Sequence, residues 1–175
     1  MSEEIVNKVA KSGLVNIDLA EYAPQNEHAE FDLKDLLWQE LVLKEKDFRA
    51  FVKDHDWSQY EQKNVAIYCS VDAIVPDWAF MLVASALAPF ASRTYVGTPQ
   101  EMVSVLFNER ISKIDPEEFR DTRIVVKGCG DVKIPTSAFV ELVNKLQPVV
   151  KSIMYGEPCS TVPVFKRPKA SLIDI

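Results

Sequence analysis

The sequence predicts an α/β fold made of two successive copies of one strand–helix–strand module, and three observations carry that prediction. Asn64 to Pro99 reads as strand, loop, helix, strand and turn, and sliding the chain so that Asn64 falls on Arg123 lays Arg123 to Pro158 over it without a gap. Eight of the 36 aligned positions are identical, each where geometry or packing is demanding: Asp72 on Asp131, Pro76 on Pro135, Ala79 on Ala138, Phe80 on Phe139, Leu87 on Leu146, Pro89 on Pro148, Gly97 on Gly156 and Pro99 on Pro158. The strand runs are short and rich in β-branched residues, as in the interior of a parallel sheet. Strand, helix and strand within so short a stretch close as a parallel pair only through a right-handed crossover. The expectation is one largely parallel central sheet containing four parallel strands, with helices on both faces.

Taken in order, Leu14 to Leu19 alternates apolar and polar residues and suggests a strand with one wet face. A turn follows at Pro24-Gln25-Asn26, and Ala29 to Leu33 is a weaker strand, so the N-terminal segment has room to add strands to the sheet. Leu36 to Leu43 is apolar without a readable period. Lys44 to Asp54 is helical, with Phe48, Phe51 and Val52 on one face.

At the same offset Phe48 meets Phe107, Val52 meets Ile111, Asp56 meets Asp115 and Tyr60 meets Phe119. The module therefore extends backwards. Residues 1–175 read as a single domain: an N-terminal segment 1–40, repeat one 41–99, repeat two 100–158 and a tail 159–175.

Val65 to Tyr68 and Ile124 to Lys127 are the first strands of the copies. Helices are expected over Asp77 to Leu87 and Thr136 to Leu146, with Asp77 and Thr136 as matching N-caps and Pro89 and Pro148 as matching stops. The second strands, Arg93 to Val96 and Ser152 to Tyr155, each end at a glycine. The helix at 77–87 is apolar nearly all round, so something besides the sheet covers it, either the N-terminal segment or a second subunit. In the tail, the Lys166-Arg167-Pro168-Lys169 run is expected to be solvated and mobile.

A chain of 175 residues is long enough for a real core, and 47% hydrophobic with 26% charged residues is ordinary for a globular protein. The net charge of -6 argues against nucleic acid or a membrane as main partner, since both recruit Lys and Arg. With two glutamates in the first four residues and no apolar run of spanning length, the expected location is cytoplasmic. Three cysteines without regular spacing suit reduced thiols.

In an open parallel sheet, ligands bind outside the carboxyl ends of the strands. That edge must carry the loops Cys69 to Val75, Gly97 to Thr98, Gly128 to Ile134 and Gly156 to Val162, and all three cysteines fall in or beside them. Asp72 and Asp131 recur in both copies, where a short carboxylate can accept N–H groups of a tight turn. Cys129 and Cys159 have no counterparts. A thiolate near helix N-termini is a nucleophile or a soft-metal ligand, whereas a buried free cysteine is simply a small hydrophobe; both readings stand.

His55 closes a helix before a strand, at the amino edge, and His28 falls in a polar turn, so neither pairs readily with a cysteine. Glycine-rich phosphate loops, CxxC and HExxH are absent. Ser160 and Thr161, in Gly156-Glu157-Pro158-Cys159-Ser160-Thr161, offer hydroxyls for an anion or, more simply, for a capped turn.

Four stretches, LKEKDFRAFVKDHDWSQY (43–60), CSVDAIVPDWAFML (69–82), KGCGDVKIPTSAFVEL (127–142) and KSIMYGEPCSTVP (151–163), resemble the bacterial domain-of-unknown-function family 2480 over nearly the whole chain. The resemblance implies membership and no activity, and SLIDI at the C-terminus extends past the usual family end.

The functional expectation is a binding or regulatory protein with a small-ligand, anion or metal site at the carboxyl edge. The ligand-binding candidates are Cys69, Asp72, Asp131, Ser160 and Thr161, and a metal ion, if one is the cofactor, would fall to Cys129 and Cys159. The alternatives are a small thiol-dependent enzyme using Cys129 or Cys159, and an interaction protein forming a homodimer through the apolar helix 77–87.

Overall fold

The computed structural model describes residues 14–128, 130, 132–157 and 160–168. Its strands and helices in chain order are β1 (Leu14–Asp18), β2 (His28–Asp32), β3 (Leu37–Trp38), β4 (Val42–Leu43), α1 (Glu45–Asp54), β5 (Asn64–Tyr68), α2 (Asp77–Leu87), β6 (Arg93–Val96), α3 (Pro99–Ser112), β7 (Arg123–Lys127), α4 (Thr136–Leu146), β8 (Ser152–Glu157) and β9 (Ser160–Lys166). The fold is mixed α/β with several sheets, partly parallel. Two compact units divide the chain: Gln25–Val105 forms one, and the described residues within Met1–Pro24 and Leu106–Ile175 form the other.

In the Gln25–Val105 unit the strand order is β2-β5-β6, parallel throughout. β5 is the centre: Asn64 to Ile67 are all buried, as a strand covered on both sides requires. α2 buries Ala79, Val83 and Leu87, a stripe with a four-residue period. α1 buries Phe48 and Val52, and Phe48 meets the Trp78 ring edge-on at 5.8 Å while the Arg49 guanidinium lies 5.4 Å from that ring's centre. That contact answers why α2 is apolar on more than one side: α1 covers part of what the sheet does not. Met81 is left 70% exposed. The unreadable stretch 36–43 is a small hairpin, β3 against β4, turning through Gln39 and Glu40 with φ of 55° and 57°.

In the other unit the order is β1-β7-β8-β9, with β1, β7 and β8 parallel and β9 antiparallel at the edge. Ile124, Val125 and Val126 of β7 and Ala138, Leu142 and Leu146 of α4 form its interior with Ile153.

Three expectations are corrected. The four strands β5, β6, β7 and β8 lie in two sheets, not one central sheet, because each crossover creates only its own parallel pair and the third strand of each sheet comes from the N-terminal segment, β2 onto β5 and β1 onto β7. His28 opens β2 and does not sit in a turn. The N-cap residues are Pro76 and Pro135, with extended ψ of 144° in both, and Asp77 and Thr136 are the first helical residues. Proline supplies no capping side chain, but its carbonyl accepts the amide three positions on: Ala79 N–H to Pro76 O at 2.9 Å and Ala138 N–H to Pro135 O at 3.0 Å.

The tail differs as well. Ser160 to Lys166 forms β9, a strand that Pro163 disguises, since proline has no N–H to give a ladder and is tolerated only on an edge or at a bulge. β9 satisfies both conditions: it is the edge strand, and the register slips between Ile153 and Met154, opposite Phe165 and Pro163. Arg167 is held, with its amide on Lys151 O at 2.9 Å and its guanidinium on Asp121 at 2.6 Å and on the Val149 carbonyl. Lys169 lies outside the described residues.

Several details return at the offset seen in the sequence. The step from Asn64 to Arg123, where β5 and β7 begin, also carries Asp77 to Thr136 and Leu87 to Leu146, the bounds of α2 and α4. Asp56 accepts the Ser58 amide at 3.0 Å, and Asp115 that of Glu117 at 2.9 Å. Gln62 and Asp121 both have φ of 58°.

Candidate functional site

The carboxyl edges of the two sheets are built alike and finished differently. In the Gln25–Val105 unit, Asp32 ends β2 directly opposite Tyr68, the last residue of β5. Its Oδ1 accepts the amides of Lys34 at 2.9 Å and Ser70 at 3.0 Å. Burial alone would push this carboxyl up, but the bonds from Ser70 and Lys34 outweigh it and hold it below the usual carboxylate range. Tyr68 donates its hydroxyl to Glu30 Oε2 at 3.1 Å, and burial, then the Glu30 carboxylate, pushes the phenol up.

A cleft of about 350 Å³ opens beside this edge, lined by Cys69, Asp72, Phe80, Gly97, Thr98 and Glu101 among others. Cys69 is a free, half-buried thiol packed against the unit's core. Asp72 is exposed, and the carboxylate that accepts a loop amide is Asp32. Thr98 and Glu101 form a reciprocal cap on α3: the Glu101 carboxylate takes the Thr98 amide at 2.8 Å, and Thr98 Oγ1 takes the Glu101 amide at 3.3 Å. The Thr98 amide, then its hydroxyl, lowers the Glu101 carboxyl.

In the other unit Asp18 stands opposite Lys127 in register, as Asp32 does opposite Tyr68. Its Oδ1 accepts the Ala20 amide at 3.0 Å and its Oδ2 lies 3.2 Å from Lys127 Nζ; the Ala20 bond first, and then Lys127, lower the carboxyl against the effect of burial. The chain does not enter a helix after Gly156 as it does after Gly97. It folds back into β9, pairing Gly156 with Thr161 and Glu157 with Ser160. Ser160 and Thr161 are thus strand residues, Ser160 exposed and Thr161 with its Oγ1 3.7 Å from Met154 Sδ.

That foldback adds a wall to an apolar groove of about 540 Å³. α4 contributes Thr136, Phe139, Val140 and Val143, and β8 contributes Ile153, Met154 and Tyr155. Val126 and Val164 also line it, and among the described residues its side-chain polarity amounts to two hydroxyls, those of Thr136 and Tyr155, and one thioether. Phe139 and Tyr155 meet edge to face at 5.6 Å. Val140, Tyr155 and Val164 are 54%, 45% and 52% exposed, a large apolar area for a rim to leave in water.

Cys129, Asp131 and Cys159 lie outside the described residues. Of the residues singled out from sequence, Cys69 and Asp72 share the cleft, and Thr161 touches a wall of the groove. Among the described residues, no group of three or more His, Cys, Asp and Glu side chains is placed to hold a metal ion. Among them too, no helix is long and apolar enough to cross a membrane.

Sequence reasoning misses the groove, although α4 carries its signal. Phe139, Val140 and Val143 form a second apolar stripe beside Ala138, Leu142 and Leu146, which face the core. A helix needs only one such stripe to dock.

Residues 3–167 match the family model described as "Protein of unknown function (DUF2480)". No curated protein and no solved structure matches the chain.

Proposed function

The chain belongs to the family described as "Protein of unknown function (DUF2480)", and from that premise we propose that it is a small-molecule binding protein whose ligand lies with its apolar part in the groove between α4 and the β8–β9 hairpin. The observation that carries this reading is the groove itself. Ligand sites are concavities of about 300 to 1,000 Å³ with mostly apolar walls and a few placed polar groups, and this one, at about 540 Å³, has apolar walls with hydroxyls at Thr136 and Tyr155. It adjoins the first turn of α4, on the side of the sheet where open parallel folds take ligands.

The repeated element bounds and the Asp56/Asp115 turns support reading 41–99 and 100–158 as duplicated modules. On that reading the site is where the copies diverge: after the first copy's Gly97 the chain enters α3, and after the second copy's Gly156 it turns back into β9, which adds a wall.

The test is direct. The full chain is titrated with anilinonaphthalenesulfonate, and the dye is then displaced with dodecanoate. Saturable, displaceable binding that Val140→Asp weakens at least about tenfold, and that Asp72→Asn leaves alone, supports the groove; about 1.4 kcal/mol separates those outcomes. Binding that is absent, or equally weakened by both substitutions, rejects it.

A further inference from the structure

We propose that Gly128 is the size-determining residue of the groove, and that its missing side chain is what gives the groove depth for a long linear apolar chain; the inference rests on reading the groove as a ligand site. Gly128 follows β7 directly and is not one of the groove's lining residues. A Cβ placed on it would lie 2.7 Å from Phe139 Cζ and 2.8 Å from Ile134 Cδ1. Both distances are well inside van der Waals contact, and both atoms are the ends of movable side chains. The ring tip of Phe139 therefore occupies the space that any other residue at 128 would claim.

The backbone does not ask for glycine here. The described glycines with positive φ are Gly97, Gly130 and Gly156. What a side chain at 128 would disturb is the packing of Phe139 and Ile134, since close-packed interiors register even one methyl group. Phe139 also lines the groove and meets Tyr155 edge to face, so displacing its ring tip from Gly128 alters the groove's own wall.

The other unit supplies a comparison within the same chain. The position matching Gly128 holds Cys69, and the matching phenylalanine is Phe80. There the side chain is present, and the two residues line a smaller space of about 350 Å³ whose walls include Asp72 and Glu101. On α4 the lining runs from Thr136 through Phe139 and Val140 to Val143, apolar after its first residue, which suits an alkyl chain.

Octanoate, dodecanoate and hexadecanoate, each displacing anilinonaphthalenesulfonate from the full chain, test this. For wild type, affinity should rise by about fourfold per added methylene until the groove is filled. For Gly128→Ala the rise should stop at a shorter chain. The hexadecanoate-to-octanoate affinity ratio then falls by about tenfold or more, while octanoate binding stays within about twofold. Gly128→Ala combined with Phe139→Leu, which removes the ring tip, should restore the ratio. If Gly128→Ala does not fold, Phe139→Trp fills the same space from the other side and should lower the ratio alike. An unchanged ratio in a folded variant overturns the role of Gly128 alone. Wild type that binds none of the three chains overturns the ligand reading, and this inference with it.

Discussion

Asp32 Oδ1 accepts the Ser70 amide at 3.0 Å, so a carboxylate from the N-terminal segment orders the start of the loop after β5. The same oxygen accepts the Lys34 amide at 2.9 Å. Asp32→Ala should therefore cost about 1 to 2 kcal/mol in urea unfolding, the range for losing a carboxylate that caps backbone donors, and Asp32→Asn should cost less.

The pH dependence has a definite sign. Asp32 and Asp18 both have carboxyls lowered in the folded protein. Their contribution is present above the ordinary carboxylate range near about 4 and is lost as pH falls through the lower folded-state values. The stability gap between wild type and Asp32→Asn should hold between about pH 6 and 8 and close below about pH 3. A gap that widens on acidification would contradict the assignment.

Gly156 should tolerate substitution far less well than Gly128. Its φ is +121°, and a Cβ would meet the Ser160 carbonyl oxygen at 2.5 Å, a backbone atom fixed by the β8–β9 hairpin. Gly156→Ala is expected to cost about 2 kcal/mol or more, read as a drop in thermal midpoint. A loss under about 0.5 kcal/mol would mean that the hairpin closes differently.

The helices should respond as their faces dictate. Leu142 is 1% exposed beneath α4, and Leu142→Ala is expected to cost about 2 to 5 kcal/mol. Met81 on α2 is 70% exposed, and Met81→Ala should stay within about 0.5 kcal/mol. Paired denaturant titrations decide both. A large effect at Met81 would indicate that α2 is covered by something other than α1 and its own sheet.

Much of the architecture is legible in the chain because its signals are local. The helices α2 and α4 appear at their predicted bounds, since Pro76, Pro135, Pro89 and Pro148 punctuate the chain whatever surrounds them. β1 is likewise readable from alternation, and β2 more weakly. Their likeness escapes sequence reading: Ile17-Asp18-Leu19 and Phe31-Asp32-Leu33 share an apolar-Asp-Leu pattern, with Ile17, Leu19, Phe31 and Leu33 all buried. This pair of strands does not share the offset that relates the helices. It becomes visible only through the pairing that sets Asp18 against Lys127 and Asp32 against Tyr68.

Local chemistry along the chain is enough to specify the helices, most of the strands, the correspondence between Asn64–Pro99 and Arg123–Pro158, and the α/β class, because helix starts, proline stops and β-branched runs act on their immediate neighbours. Long-range packing settles the rest: that the strands divide into two sheets, that β9 folds back on β8, and that Phe139 and Tyr155 meet beside a groove. Those outcomes depend on which edge a strand finds and on what fills the space beside it. Neither quantity is encoded at a fixed spacing along the chain.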